Sequence, residues 1–270
     1  PLNSMLEAGK YFLRKQKRSV GVSESELIKI AVKSLGLEDL GPFNPDDRII
    51  EYMLKTEDSL NLANMTLAKF GDETASESPA PGGGSISAYV GSLGVSLGTM
   101  VANLSSHKRG WDEKWEEYSN WAEKGQIIKD KLLKLVDEDT NAFNRLMAAM
   151  RMAKGSDKEK IARKQAIDEA TKNAIMVPFS IMKLSLESME IMEAMAERGI
   201  QSSISDAGVG IACARTAVVG AFLNVKINLV DFEDKSFSDK VLKEGQKIQD
   251  KAFEMENKIL EMIDKKLTKT

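Results

Sequence analysis

The spacing of apolar residues constrains the architecture before any single residue is weighed. Between residues 111 and 153 a stripe runs through Ile128, Leu132, Leu135, Ala142, Leu146 and Ala149 in steps of three and four, with one gap. A second stripe passes through Ile167, Ala170, Ala174, Val177, Ile181, Leu184, Ser188, Ile191 and Met195. A third passes through Val241, Gly245, Ile248, Ala252, Met255, Ile259 and Met262. Such alternation puts about one residue per turn on one helix face, and long seams of this kind pack at shallow angles in bundles. Ser156-Asp157-Lys158-Glu159 is a capping box that opens one of these helices. No run beyond residue 57 alternates as a strand does, so the fold class is all-α, a bundle of long helices.

Two further helical segments are built differently. Residues 86–106 carry no charge and hold three glycines and five serines, and residues 205–223 hold Gly208, Gly210, Ala212, Ala214, Ala217, Gly220 and Ala221. Side chains this small let backbones approach closely, so these helices are expected to pack against each other or against a second subunit. Residues 86–106 are long enough to cross a bilayer, but their glycine and serine content fits close packing in a soluble protein better, and no membrane partner is expected.

Composition narrows the function classes. With 42% hydrophobic and 29% charged residues the chain is of the soluble globular class. A net charge of −3 argues against a nucleic-acid partner. Cys213 is the only cysteine, which fits a reducing, cytoplasmic compartment. His107 is the only histidine, which excludes a His-rich metal site and leaves little room for a Ser-His-Asp triad, so no metal is expected. Residues 1–17 have neither the order nor the cleavage site of a signal peptide.

Residues 1–55 read as a separate unit: a basic helix over 2–17, a helix opened by Ser23-Glu24-Ser25-Glu26 and stopped by Gly36, a turn at 41–45, and one short helical piece over 46–54. This unit has too few apolar residues for its own core and is expected to be an appendage to the helical domain of residues 56–270.

Candidate chemistry begins at Ser78-Pro79-Ala80-Pro81-Gly82-Gly83-Gly84-Ser85, immediately before the first small-residue helix. Proline suits a first helical turn, glycine lets N–H groups approach a ligand, and a helix N-terminus favours an anion. The plainer reading is a linker before a buried helix. No Gly-Lys-Ser/Thr follows the glycines, so this is not a nucleotide P-loop.

Asp139 fills the gap in the first stripe, where the spacing demands an apolar residue. Burial there either fixes register through a polar contact or raises the carboxyl pKa for acid–base work; the second fits better. Asp137 and Glu138 lie off the stripe and are expected to be solvated. Asp206, in Ser205-Asp206-Ala207-Gly208, either caps the second small-residue helix or joins the chemistry. Arg215, the only charge between Ala207 and Val225, calls for an anionic partner, an acidic residue or a ligand. Asn103 projects an amide inward or caps its helix. Pro178 should free the carbonyl near Ala174. Lys172, Lys108 and Arg109 are cations that read as surface residues or as contacts to an anionic ligand, and His107 as a base is a lesser option. Asn224 and Asn228 bracket Val225-Lys226-Ile227, expected to be a short extended piece whose amides meet a heterocycle or form a turn.

These motifs resemble, in order, the cyclodeaminase domain of the formiminotransferase-cyclodeaminase family. The resemblance rests on Ser78 through Ser85, Met100-Val101-Ala102-Asn103-Leu104, Asp139-Thr140-Asn141-Ala142-Phe143, Ser205-Asp206 and Asn224 through Leu229, and covers roughly residues 60–230. Residues 1–55 resemble the C-terminal end of the formiminotransferase part, through Met5 to Phe12 and Lys15 to Ser19. The resemblance implies conversion of 5-formimidoyltetrahydrofolate to 5,10-methenyltetrahydrofolate and ammonia, in histidine degradation and one-carbon metabolism. It implies a dimer with the site near its interface, no cofactor beyond the folate, which is the substrate carrier, and a formiminotransferase partner domain. By it Asp139 and Asp206 are the catalytic carboxylates. Pro81, Gly82, Gly83, Gly84, Ser85, Asn103, Arg215, Asn224 and Asn228 hold the substrate, and Lys108, Arg109 and Lys172 meet a polyglutamylated tail. The family includes methenyltetrahydrofolate cyclohydrolases, an alternative activity, and a non-catalytic helical dimer supporting a transferase partner is a third reading. The chain departs from the family at Ser105-Ser106-His107-Lys108-Arg109-Gly110-Trp111, where a Thr and then Gly-Lys-Lys are usual.

Overall fold

The computed structural model describes residues 1–39, 41–54 and 62–268, so the expected boundary between residues 55 and 56 lies outside the described residues. Every regular element among the described residues is helical. In chain order these are α1 (Leu2–Lys15), α2 (Glu24–Ser34), α3 (Pro45–Arg48), α4 (Ile50–Met53), α5 (Leu67–Thr74), α6 (Gly83–Ser106), α7 (Trp115–Met150), α8 (Asp157–Arg198), α9 (Ile204–Leu229) and α10 (Lys235–Leu267). The stripes face inward as their spacing requires. Ile128 and Leu132 of α7, Ile181 and Ile191 of α8 and Ile259 of α10 are all buried in one core with Met182, Met189 and Met192. Ser156 and Glu159 form the full reciprocal capping box at the start of α8.

The two small-residue helices pack against each other, antiparallel, through their backbones. A Cβ on Gly94 would stand 2.8 Å from the carbonyl oxygen of Gly210, and one on Gly210 would stand 2.9 Å from that of Gly94. Farther along, Gly91 meets Ala217 and Gly83 meets Asn224. By length and composition alone 83–106 and 201–229 could each cross a bilayer, yet in the most apolar stretch of the first, 61% of residues are buried inside the bundle.

Pro178 sits inside an unbroken α8. Its ring leaves the carbonyl four residues back without a helical donor, and the Asn228 side-chain amide supplies one, donating to Ala174 O at 2.8 Å. Residues 225–227, expected to be extended, are helical, because α9 runs on to Leu229 and presents Asn224 and Asn228 one turn apart on one face. The piece expected over 46–54 is two single turns, α3 and α4, divided at Ile49, whose backbone is extended.

The first 54 residues form two small apolar clusters of their own, around Leu13, Val20 and Leu27 and around Ile28, Val32 and Ile49, contrary to the expectation of no core. The strap after α1 fastens this unit to the bundle. Ser19 N–H donates to His107 Nε2 at 3.1 Å and Val20 N–H to Ser119 Oγ at 3.0 Å. Gly21 O accepts from both Asn103 Nδ2 (2.8 Å) and Gln126 Nε2 (3.1 Å). Gly21 presses on α7 so closely that a Cβ there would lie 2.2 Å from that of Ala122. Lys10 adds an ion pair to Glu123 at 2.8 Å. Asp137, expected to be solvated, is half-buried and accepts from Leu62 N–H at 2.6 Å, tying the segment before α5 to α7.

Gly94→Ala is expected to cost about 1–3 kcal/mol, because backbone cannot yield as a flexible side chain does. Gly71→Ala, on α5 with nothing within 4 Å of its would-be Cβ, should be neutral or slightly stabilising. Denaturant unfolding of both variants measures the contrast.

Candidate active site

The N-terminal turn of α6 opens on a cleft of about 190 Å³ lined by Pro79, Ala80, Gly82 and Gly83, by Asp139, Thr140, Phe143 and Leu146 of α7, by Ala174 of α8, and by Asn224 and Asn228 of α9. The preceding Ala80–Pro81 peptide is cis. Gly82 is the N-cap of α6 and has no side chain to satisfy the free N–H groups of the first turn. A carboxylate from the neighbouring helix does so instead: Asp139 accepts from the Ser85 amide and from Ser85 Oγ, the latter at 3.1 Å. The same hydroxyl lies 2.9 Å from Val136 O and 3.4 Å from Thr140 Oγ1. This approach needs glycine at position 84, where a Cβ would fall 2.1 Å from Asp139 Oδ1.

Burial pushes the Asp139 carboxyl above its usual range, while the two donors from Ser85 pull it part of the way back. A carboxyl so poised can accept and return a proton at higher pH than an exposed aspartate. Asn224 Nδ2 faces Gly83 across the cleft and donates to Gly220 O at 2.9 Å. The Asn224 and Asn228 carbonyl oxygens and the exposed Gly83 backbone give the cleft acceptors and donors beside one acid.

The structure therefore gathers Gly82, Gly83, Asp139, Asn224 and Asn228 on one cleft, with Gly84 and Ser85 behind the acid and Pro81 buried beneath the turn. Other nominated residues stand elsewhere. Asp206 is in the first turn of α9, not at its cap, and 18 residues of helix separate it from Asn224, about 27 Å at 1.5 Å per residue. Within one chain the two aspartates thus share no cleft. Asn103 and Lys108 are at the far end of α6, where Asn103 holds Gly21 and Lys108 covers the Trp111 ring at 4.1 Å; exposed Arg109 follows in the same loop. The family-divergent loop at 105–111 thus meets the strap, not the cleft. Lys172 lies over Phe237 at 5.0 Å, on the α10 side of α8. Arg215 has its anion within the chain, pairing with buried Glu256 at 2.9 Å.

Thr140, Phe143, Leu146 and Ala174 line the cleft as well, though none was expected to hold the substrate. Phe143 and Leu146 lie four and seven residues after Asp139, on its helix face, a spacing visible in the sequence. A second cleft of about 480 Å³ adjoins the first, sharing Leu146 and Asn228 and adding Arg163, Lys164, Asp168 and Thr171. Arg163 also caps α7, donating through Nε and Nη2 to Met150 O at 3.2 and 2.9 Å.

An all-helical bundle whose acid stands at a glycine-built helix start, opposite two amides, defines the class: a helical domain with a small-molecule cleft. Comparison with known proteins carries this further. A sequence model described as formiminotransferase-cyclodeaminase matches residues 66–247, and one for the formiminotransferase domain matches residues 1–55. The formimidoyltransferase-cyclodeaminase of Gallus gallus is 32% identical over 98% of this chain and 49% of its own length; that of Dictyostelium discoideum is 34% identical over 97% and 48%. A methenyltetrahydrofolate cyclohydrolase from Methylorubrum extorquens is 33% identical over 76% of this chain and 98% of its own. The crystal structure of a formiminotetrahydrofolate cyclodeaminase from Thermotoga maritima superposes with a TM-score of 0.66 at 25% identity, over 74% of this chain and 96% of that one. The chain belongs to the formiminotransferase-cyclodeaminase family. It spans about half the length of the bifunctional relatives it matches.

Two substitutions test the site before any substrate is known. Gly84→Ala should fold normally, because its obstacle is the end of a side chain, yet move the Asp139 carboxyl out of place. Ser85→Ala removes a donor that favours the ionised form, so the Asp139 pKa should rise further above its ordinary value of 3.8. Carboxyl-carbon NMR titration reads both, and an unchanged Asp139 midpoint in Ser85→Ala would refute the assigned balance.

Proposed function

We propose that this chain is a formimidoyltetrahydrofolate cyclodeaminase, converting 5-formimidoyltetrahydrofolate to 5,10-methenyltetrahydrofolate and ammonia. The observation that carries this reading is Asp139: one carboxyl of raised pKa, held by Ser85 at the glycine-built start of α6 and faced by Asn224 and Asn228. In the reaction N10 attacks the carbon of the N-protonated formimidoyl group and loses its proton, the departing nitrogen gains one, and ammonia leaves as the carbon becomes the methenyl bridge. Net charge on the folate is +1 at the reacting centre before and after. Asp139 takes the proton from N10, passes it to the leaving amine, and balances the cation throughout. The amides and the backbone of Gly82 and Gly83 hold the heterocycle. The tail of a polyglutamylated folate follows the adjoining cleft past Arg163, a role moved there from Lys108, Arg109 and Lys172. The folate is the only carrier the reaction uses, and the enzyme belongs to cytoplasmic histidine degradation, working beside a formiminotransferase domain.

A homodimer completes the reading. Its support is the exposed apolar stripe that α6 and α9 share, including Leu93, Met100, Leu104, Val209, Leu223 and Ile227. In a pair whose two-fold axis crosses these antiparallel helices, the Asp206 end of one copy lies against the Asp139 end of the other, which gives Asp206 a place at the reaction.

One specific observation favours a second reading. The cyclohydrolase from Methylorubrum extorquens aligns over almost its full length; in that activity Asp139 would activate water against the methenyl cation. The formiminotransferase match over residues 1–55 favours the first. Supplied 5-formimidoyltetrahydrofolate should give methenyl absorbance with release of ammonia, and Asp139→Asn should lose about 10²–10⁴-fold in rate while keeping its fold. Loss of supplied methenyl compound without cyclisation would select the cyclohydrolase, neither reaction in the unaltered chain would leave only the non-catalytic helical dimer, and full activity in Asp139→Asn would remove Asp139 from the reaction. Mixing Asp139→Asn with Asp206→Asn should restore about a quarter of the clefts by random assortment of a two-fold pair; no restoration removes Asp206 from the site.

A further inference from the structure

A third cavity lies at the opposite end of α6, independent of the reaction proposed for Asp139. It encloses about 500 Å³ between α1, α2 and the His107 loop, within the range of small-ligand sites. One wall is apolar, made by Leu13, Val22 and Ile30. Around it stand two cations, Arg18 and Lys33, both exposed and neither in an ion pair among the described residues. A single acid, Glu26, lines the same cavity, and Lys29 lies 3.7 Å from it.

His107 lines the same cavity and carries one N–H. Its Nε2 accepts the Ser19 N–H at 3.1 Å, and a ring nitrogen that accepts carries no proton. A neutral imidazole has one N–H, so the hydrogen bond fixes it on Nδ1. Burial and the neighbouring Arg18 charge both hold the imidazole below its usual range, in keeping with this neutral form. The cavity thus offers two unpaired positive charges and one neutral donor above an apolar wall, an arrangement complementary to an anion that carries a hydrocarbon face.

We propose that this junction cavity binds a small carboxylate on an apolar body, its carboxylate meeting Arg18, Lys33 and His107 Nδ1–H and its apolar part covering Leu13, Val22 and Ile30. Arg18 and Ser19 begin the strap that fastens α1 and α2 to α7, so an occupant that touches both sides favours the fastened state by mass action. Binding is therefore expected to protect the Ser19 and Val20 amides, which hydrogen-bond across the junction.

Benzoate is the probe, used on the full chain, with benzamide as its uncharged counterpart. Because His107 is the only histidine, its imidazole signals in NMR report on the cavity without ambiguity. Benzoate should shift them saturably and slow exchange of the Ser19 amide. Arg18→Gln and Lys33→Gln, singly and together, change exposed side chains and should leave the unliganded melting temperature in place. Each should weaken benzoate binding about tenfold, as loss of a charge-assisted hydrogen bond implies. Benzamide should bind about tenfold or more weakly by the same reasoning. A benzoate effect matched by sodium chloride at equal ionic strength would overturn the proposal, as would an unchanged affinity in the double variant. Equal binding of inorganic phosphate, which has no apolar body, would overturn the assigned ligand class. Activity of the Asp139 cleft is not a readout of any of these, so the two proposals fail separately.

Discussion

The contact on which the rest of the molecule depends is the backbone crossing of α6 and α9 at Gly94 and Gly210. Each glycine stands where a methyl group would strike the other's carbonyl oxygen. So close an approach buries little apolar side chain at the crossing itself. The adhesion comes from the flanking α7 and α8, whose Ile, Leu and Met side chains fill the core. The crossing contributes position: it fixes the antiparallel register that sets Gly83 against Asn224 and the start of α6 beside the last turns of α9. The N–H end of one helix and the C=O end of another thus meet at one mouth, with opposite ends of two helix dipoles a few ångströms apart.

Within that mouth the local rules of helix termination are met by residues distant in sequence. Gly82 cannot cap α6, and Asp139, 54 residues beyond Ser85, accepts from the first turn in its place. Pro178 costs α8 a donor, and Asn228, 54 residues beyond Ala174, supplies it. Both repairs stand in the same cleft. Asn228 therefore has one amide hydrogen committed to structure, which leaves its second N–H and its carbonyl oxygen for a ligand.

The helices and their buried faces were legible because period and capping are local. The three-four stripes mark α7, α8 and α10, and most of their residues are buried, with Leu135, Leu146, Ile167, Leu184 and Met262 partly so; Asp139 was conspicuous as a break in one of them. The orphaned Ala174 carbonyl also followed from Pro178 alone. What did not follow was which end of a helix faces which neighbour. Lys108 and Arg109 are near the glycine helix in sequence, but α6 is 24 residues long and places them at its other end. Arg215 did signal an anion, and its partner came from α10, 41 residues away. Residues 225–227, expected to be extended, are instead carried along in α9, where Val225 packs into the core.

The two charges on the seams of this bundle are treated differently, and the difference bears on function. Glu256 is buried and paired with Arg215, which compensates its desolvation. Asp139 is likewise held against the core, but its partners are a hydroxyl and an amide rather than a cation. Its pKa is raised on folding, so the folded state holds its proton more tightly than the unfolded chain does. Ionising it above that pKa opposes folding, and the cost persists at neutral pH. A chain that elsewhere supplies an arginine to a seam carboxylate leaves this one to be completed from the cleft. A cationic centre bound opposite Gly83 would repay the desolvation, and the charge that a methenyl or formimidoyl carbon carries is of that sign.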